Sequence, residues 1–352
     1  MSLDPIDRRA FLGMGGMAFF CTLAGQQIAT DKGQIDIGGL SGKVAVPPRV
    51  AAAEARNGEG PARSELVALA SSGRTREYWI AAEERPWNIV PTHRDQMMAD
   101  AVTGGRTTFN AYGYRPYSAG FRHPLAPATV PGPLIEAEVG DTVIVHFRNK
   151  LKAPVTMHPH GIFYANEMDG TYKGKWTDPG GFVQRDRTLT YVWEAREGTE
   201  GTWLYHDHGP MDPLPVFRGL HGPLVIRRPG EARPNSEYFL AFHTWDPSIT
   251  GLNQIYYCIN GKAYAGNTPT LEAKVGQRVA FHVYGVDNFL HTFHLHGHRW
   301  SEPDGTVVDN KSFGPADSFR VEFTEDNPGR WFYHCHVFQH LHQGMNGWYL
   351  VS

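Results

Sequence analysis

Residues 334–345 read His-Cys-His-Val-Phe-Gln-His-Leu-His-Gln-Gly-Met, so a thiol, several imidazoles and a thioether stand on one short segment. The spacing Cys-x4-His-x4-Met predicts that Cys335, His340 and Met345 share a loop between neighbouring strands, with His291 arriving from an earlier strand. A lone cysteine or methionine is ordinarily a core residue. A thiolate, two imidazoles and a thioether together are the donors of a type 1 (blue) copper site, which transfers single electrons.

Working outward, this segment belongs to the second of two copies of one pattern. Pro133–Gly140 aligns with Pro269–Gly276. The matches that follow are His158 and His160 onto His294 and His296, and Trp203, His206 and His208 onto Trp331, His334 and His336. The second match has a smaller offset, which predicts extra residues of the first copy in the loop 167–182. Short apolar runs punctuated by Gly and Pro favour an all-β sandwich in each copy.

The two copies differ at the type 1 positions and agree at the histidines. The first copy has Val155, Asp207 and Leu220 where the second has His291, Cys335 and Met345, so only the second copy can bind type 1 copper. Both copies keep two His-x-His motifs. Because alternate residues of a strand point to one face, each motif can offer two imidazoles to a metal cluster.

These motifs resemble the four copper motifs of multicopper oxidases over roughly residues 77–352, and they are most similar to those of the two-domain small laccases. The resemblance implies an all-β chain of two tandem cupredoxin-like Greek-key β-sandwich domains, at 77–230 without type 1 copper and at 236–352 with it. It also implies four coppers per chain equivalent: one type 1, one type 2 and two type 3. The type 2 ligands would be His158 and His294, and the type 3 ligands His160, His206, His208, His296, His334 and His336.

The family further implies a laccase-like oxidase, in which one-electron oxidation of phenolic or aromatic donors is coupled to reduction of dioxygen to water. Asp169 and Asp309 are candidates for proton delivery, and Tyr164 is a candidate redox tyrosine. A metal-ion oxidase is an alternative, since residues 78–84 resemble ceruloplasmin-type domains, and a carboxylate cluster beside His291 or His340 would support it. A copper nitrite reductase and an electron-transfer copper protein remain as further alternatives.

Assembly and location are also predicted. The family arrangement requires the histidine faces of both domain types to oppose each other, which predicts a homotrimer with interfacial trinuclear sites. Asp7-Arg8-Arg9 and the apolar stretch after it resemble a twin-arginine export signal at 1–24, followed by a linker at 25–76; the chain would then be periplasmic or extracellular. That stretch is too short to span a bilayer.

A net charge of -3 gives no electrostatic case for nucleic acid, and three scattered cysteines build no disulfide framework.

Overall fold

The computed structural model describes residues 73–102, 105–175 and 180–352, together with the backbone of four short strands in the N-terminal segment. Contacts divide the chain into two units, at residues 1–46 and 47–352. The first unit contains two strand pairs, β1 (Thr22–Leu23) with β2 (Gln26–Gln27) and β3 (Ala29–Asp31) with β4 (Gln34–Asp36). Apart from these strands, the predicted export signal at 1–24 and the predicted linker up to residue 72 lie outside the described residues.

The first copy of the repeat, domain 1 below, is a sandwich of two sheets. Their strand orders are β12-β13-β10-β5-β8 and β11-β14-β15-β9. The elements are β5 (Thr75–Asn88), β6 (Arg94–Asp95), β7 (Asp100–Ala101), β8 (Thr108–Tyr117), β9 (Ile135–Glu138), β10 (Thr142–Asn149), β11 (His158–Pro159), β12 (Phe163–Tyr164), β13 (Thr188–Glu194), β14 (Gly201–His206), the helix α1 (Leu214–Phe217), β15 (His221–Arg227) and two 3-10 turns at Ala119–Phe121 and Asn166–Met168.

The second copy, domain 2, repeats this arrangement. Its sheets have the orders β17-β16-β19-β24 and β18-β26-β25-β20-β23. The elements are β16 (Ser236–Trp245), α2 (Pro247–Thr250), β17 (Tyr256–Ile259), β18 (Leu271–Ala273), β19 (Arg278–Gly285), β20 (His291–Leu295), β21 (Trp300–Ser301), β22 (Val307–Val308), β23 (Asn310–Phe313), β24 (Ser318–Thr324), β25 (Gly329–His334), α3 (Phe338–His342) and β26 (Asn346–Val351). The all-β fold with two tandem cupredoxin-like sandwiches, predicted from the sequence, is confirmed.

Corresponding strands carry the same hydrogen bonds in both domains. The hydroxyl of Tyr205 donates to the carbonyl of Pro133 at 2.6 Å, and Tyr333 donates to Pro269 at the same distance. Each of these tyrosines is fully buried in the centre of its own apolar core. The repeat therefore extends from the copper motifs into the packing of the core.

The structure also reveals a part of the repeat that a fixed offset along the sequence does not show. Glu77-Tyr-Trp-Ile-Ala81 on β5 corresponds to Glu237-Tyr-Phe-Leu-Ala241 on β16. In each copy the tyrosine hydroxyl donates to a carbonyl of the other sheet, from Tyr78 to Glu136 and from Tyr238 to Glu272. The signal was hidden because the spacing to the next motif differs between the copies, so a fixed offset does not align these segments.

A shared apolar cluster joins the two domains. Trp87 and Phe109 of domain 1 pack with Trp245, Tyr256 and Cys258 of domain 2. The Cys258 thiol is fully buried on β17. Polar contacts across the same boundary include Arg227 with Glu237 at 2.8 Å and Thr202 with His282 at 2.5 Å.

Candidate copper centres

Three of the four predicted type 1 donors, His291, Cys335 and His340, bring their ligand atoms within 4.8 Å of one another, and Met345 is joined to Cys335 and His340 by backbone hydrogen bonds. His291 begins β20, Cys335 directly follows β25, His340 lies on α3, and Met345 directly precedes β26. All four side chains are buried. The Nδ1 atoms of His291 and His340 lie 4.0 and 3.5 Å from the Cys335 sulfur.

The sulfur is held by the surrounding backbone as well as by the imidazoles. The amide of Thr292 donates to the Cys335 sulfur at 3.4 Å. Burial raises the pKa of the Cys335 thiol, but hydrogen bonds from His291 and His340 oppose this effect and lower it overall to about 6. A thiolate is the form that binds a metal. This soft, buried and partly ionised donor set fits copper.

Two contacts around this site were not predicted from the sequence. Asp287 is buried, and its carboxylate lies 2.9 Å from Nε2 of His291, which turns Nδ1 of that ring towards the sulfur. Tyr257 stacks on His340 with ring centroids 4.0 Å apart and planes inclined by 18°. No sequence signal marks either residue, because Asp287 stands in a loop and Tyr257 in an apolar strand.

Domain 1 gathers the first histidine cluster on β11 and β14. Ligand atoms of His158, His160 and His206 all lie within 4.8 Å of one another. His208 stands at the rim, with its ring 5.4 Å from that of His158 and 5.6 Å from that of His206. Burial lowers the pKa of His160 to about 4 and that of His206 to about 3, so these imidazoles are neutral, as metal ligands must be.

Domain 2 gathers the second cluster in the same way, on β20 and β25. Ligand atoms of His294, His296 and His334 lie within 4.8 Å of one another. The exposed His336 stands at the rim, 5.3 Å from His294 between ring centroids. Burial lowers the pKa of His334 to about 4.

Backbone carbonyls fix the orientation of four of these rings. In each of these rings Nδ1 donates to a backbone carbonyl at 2.7 to 2.8 Å. The donor and acceptor pairs are His158 with Asp169, His206 with Asp207, His294 with Asp309, and His334 with Cys335. A neutral imidazole that donates through Nδ1 keeps its lone pair on Nε2. This arrangement, with the second nitrogen held by a carbonyl, is typical of metal-bound histidine, so the rings fit copper.

A glycine follows each His-x-His motif at the start of the cluster for a steric reason. Gly161 and Gly297 have φ values of 69° and 74°. A side chain at either position would collide with the indole ring of Trp203 or Trp331. The turn thus packs directly on the tryptophan that precedes the second histidine motif.

The candidate proton-delivery residues occupy equivalent positions but have different surroundings. Asp169 is half-buried, and its carboxylate lies 3.0 Å from Nδ1 of His158 and 2.9 Å from the ammonium of Lys173. Asp309 is exposed and contacts the second cluster through its backbone carbonyl. The ring of Tyr164 lies 5.9 Å from that of His158.

Five histidines outside the copper motifs are buried and hydrogen-bonded. His146 and His282 pair with glutamates at 2.8 Å, His298 pairs with Glu325 at 2.9 Å, and His243 accepts from the amide of Gly261. His221 lies against Tyr284 across the domain boundary.

The family models described as "Multicopper oxidase" match residues 125–231 and 231–352, which together extend over more than half of the chain. The chain belongs to the multicopper oxidase family. Members of this family are copper oxidoreductases that use dioxygen.

This multicopper oxidase chain is similar in sequence to three longer proteins. It is 32% identical to a probable nitrite reductase-hydroxylamine oxidoreductase fusion protein of Kuenenia stuttgartiensis over 64% of this chain and 28% of that protein. It is 28% identical to the ferroxidase HEPHL1 of Mus musculus over 79% of this chain and 29% of that protein. Human ceruloplasmin is 28% identical over 78% of this chain and 30% of that protein. The chain thus spans less than a third of the length of these relatives.

Solved structures agree on the fold. The blue copper oxidase from Nitrosomonas europaea superposes with a TM-score of 0.61 at 24% identity, covering 79% of this chain and 86% of that one. A crystal structure of a multicopper oxidase superposes with a TM-score of 0.64 at 23% identity, covering 79% and 89%.

Proposed function

We propose that this protein is a laccase-like oxidase that takes single electrons from aromatic donors at the Cys335 site and reduces dioxygen to water at clusters built from the eight His-x-His imidazoles. The observation that carries the proposal is the segment 334–336. Cys335 belongs to one donor set, while His334 and His336 on either side belong to the other. Copper, when bound, would supply the one-electron transfer and the dioxygen chemistry.

The surface beside the Cys335 site favours an apolar, aromatic donor. Phe289 and Leu290, which precede His291, are 39% and 73% exposed, and Phe338 on α3 is 67% exposed. Among the described residues, the carboxylate that contacts His291 is Asp287, which is 5% exposed and already accepts a hydrogen bond from the Thr244 hydroxyl. A metal-ion substrate would need an accessible carboxylate at this position.

A metal-ion oxidase is the second candidate, and the similarity to a protein named ferroxidase HEPHL1 favours it. The two candidates differ in the donor and share the copper sites. A nitrite reductase is less well supported, although a probable nitrite reductase fusion is among the relatives, because that reaction does not require the complete set of cluster histidines. A pure electron carrier would need only the Cys335 donors.

The arrangement of the clusters supports a homotrimer. In the described residues the close ring contacts of each cluster stay within its own domain. A single cluster that uses all eight imidazoles would therefore form where the domain 1 face of one chain meets the domain 2 face of another. We infer that two-domain chains close into a ring with trinuclear sites at the interfaces, which gives four coppers per chain.

Proton delivery is proposed for Asp169 and Asp309, with Tyr164 as a redox tyrosine. Asp169 is supported by its direct contact with His158. Export through a twin-arginine signal is proposed from residues 1–24. None of the helices in the described part of the chain is long and apolar enough to cross a membrane.

The proposal is tested by loading the full chain with copper and measuring copper per chain, visible and paramagnetic-resonance spectra, particle mass, and dioxygen consumption with a phenol or with ferrous ion. Four coppers, a trimer and faster turnover of the phenol are expected. One copper with no dioxygen consumption would leave an electron carrier, and faster turnover of ferrous ion would favour the metal-ion oxidase.

A further inference from the structure

The core of domain 2 contains three polar side chains that bond to one another, His298, Glu325 and Tyr349, which we call the core triad. Their exposed fractions are 6%, 0% and 0%. Nε2 of His298 lies 2.9 Å from one carboxylate oxygen of Glu325, and the hydroxyl of Tyr349 donates to the other. Ionisable groups are costly to bury even when paired, so their presence here needs a reason.

The fold itself does not require the core triad. Domain 1 has Ile162, Ala195 and Leu224 at the same three positions. The correspondence follows from equivalent bonds and pairings: Gly140 donates to Ala195 as Gly276 donates to Glu325, and Leu224 pairs with Ile135 as Tyr349 pairs with Leu271. The domain 1 residues are buried as well, at 5%, 2% and 0%. An apolar set therefore fills the same space in the same architecture.

The core triad touches the histidine cluster through the main chain of His296. Nδ1 of His298 lies 2.7 Å from the carbonyl oxygen of His296, and since a carbonyl only accepts, Nδ1 must carry the hydrogen. Because Glu325 holds the opposite nitrogen, the ring is fixed from both sides. The amide of His296 donates to the carbonyl of Phe332 at 2.9 Å, so both backbone polar groups of His296 are hydrogen-bonded.

Domain 1 lacks one of these two hydrogen bonds at the backbone of the corresponding histidine, His160. The amide of His160 donates to Leu204 at 2.9 Å, which matches the bond of His296. The hydrogen bond to the carbonyl is missing, because the side chain of Ile162, the counterpart of His298, has no hydrogen-bonding group. His160 is half-buried in its cluster, whereas His296 is exposed. An exposed ring receives less support from packing, so fixation through the backbone matters more for His296.

We propose that His298, held by Glu325 and Tyr349, is a positioning residue that fixes His296 for binding copper in the cluster. This inference rests on the proposed function. Burial and the neighbouring Glu325 carboxylate raise the pKa of Tyr349, so its phenol keeps the hydrogen that it donates. The core triad thus restricts the position of the His296 main chain and, through it, of the His296 ring. Nε2 of that ring lies 3.0 Å from Nε2 of His334.

The test replaces the core triad with the residues of domain 1, as His298→Ile, Glu325→Ala and Tyr349→Leu in one chain. Changing His298 alone would leave Glu325 buried without its partner, whereas the triple variant carries a set known to fit. The full copper-loaded chain is titrated with a competing chelator, and copper loss is followed separately by the blue absorption and by the type 3 absorption. Outer contacts of metal ligands typically change metal affinity by about 10- to 100-fold.

We expect the triple variant to keep the blue absorption and to lose cluster copper at about tenfold lower chelator concentration than the wild type. Unchanged cluster affinity would show that the core triad only fills the core. The control is Tyr238→Phe, which removes another hydroxyl of the same core, bonded to the Glu272 carbonyl, and should leave cluster affinity unchanged.

If the triple variant does not fold, Glu325→Gln decides the matter, because it keeps the shape and weakens the hold on His298. A severalfold loss of cluster affinity supports the positioning role, and wild-type affinity overturns it. A wild-type chain that binds only one copper would contradict the proposed function itself, which is a different outcome.

Discussion

The segments around Asp207 in domain 1 and Cys335 in domain 2 have the same backbone bonds and different chemistry. The amide of Asp207 donates to Leu220 at 3.0 Å, as that of Cys335 donates to Met345. The carboxylate of Asp207 accepts from the amide of Thr156 at 2.6 Å, where the Cys335 sulfur accepts from Thr292. The loop is therefore shaped by its backbone, and the side chains decide whether it can bind type 1 copper.

The same bonds identify the counterpart of His340, which the sequence comparison did not supply. Leu220 donates to the carbonyl of Pro215 at 3.0 Å, and Met345 donates to that of His340 at 2.9 Å. Domain 1 thus has Pro215 in place of the second imidazole. Its four type 1 positions hold Val155, Asp207, Pro215 and Leu220, which lack the soft donor set.

The sharpest test of this comparison exchanges its central residue, as Cys335→Asp. We expect complete loss of the blue absorption and of oxidase activity, because the thiolate is removed, while the fold persists as it does around Asp207. Visible spectra and circular dichroism measure the two effects. The reverse change Asp207→Cys should create no blue site, and a blue band in that variant would break the comparison.

A second pair of counterparts, Glu237 and Glu77, tests the domain boundary. Burial raises the pKa of Glu237, but hydrogen bonds from His282 and Arg227 outweigh this effect and lower it to about 2. A depressed pKa stabilises the fold above the unfolded pKa of about 4.5, and that stability is lost as the pH falls towards 2. Glu237→Gln should therefore cost about 2 kcal/mol of unfolding free energy at pH 7.

Glu77→Gln is the matched control, because Glu77 bonds to His146 in the same way but is 35% exposed and lies away from Arg227. Its cost should stay below about 1 kcal/mol. Denaturant unfolding at pH 7 and pH 3 measures both. Equal costs for the two variants at pH 7, or a cost for Glu237→Gln that does not shrink at pH 3, would contradict the role of the domain boundary.

The paired aspartates give a smaller expected effect. Asp169→Asn should slow dioxygen turnover about tenfold, which corresponds to about 1.4 kcal/mol, because its carboxylate contacts His158 directly. Asp309→Asn should have a smaller effect than Asp169→Asn, since the contact of Asp309 with its cluster is made by the backbone carbonyl. Oxygen-electrode rates at saturating donor test this order, and a larger loss in Asp309→Asn would reverse our assignment.

The smallest expected effect concerns Asp287, whose position in domain 1 is taken by the buried Leu151. Asp287→Asn removes a negative charge 2.9 Å from Nε2 of His291. Because that charge favours the oxidised metal, the reduction potential should rise by up to about 59 mV, a tenfold change for a one-electron couple. A redox titration followed by the blue absorption measures this, and a lower potential would show that Asp287 acts only sterically.

Much of the candidate site could be predicted because its donor residues lie close together in the sequence. Cys335, His340 and Met345 are close in the chain, and His-x-His places two rings on one face of a strand. The extra residues of domain 1 also lie in the loop that the sequence predicted. The connection from Asp169 to Val183 is longer than the corresponding connection from Asp309 to Phe313 in domain 2. Pro215 was missed because α1 and α3 stand in segments of different length after the histidine motif.

The sequence by itself determined the repeated β-sandwich and the identity of the twelve candidate donors, since period-2 patterning and ligand spacing are short-range properties. Only the tertiary structure decided which groups support those donors. Asp287 and Tyr257 reach the Cys335 site from another strand or loop, and Glu325 and Tyr349 reach His298 across the core. Such contacts join residues that are distant in the chain, so no local pattern records them, and their hydrogen bonds become visible only when the sheets are packed.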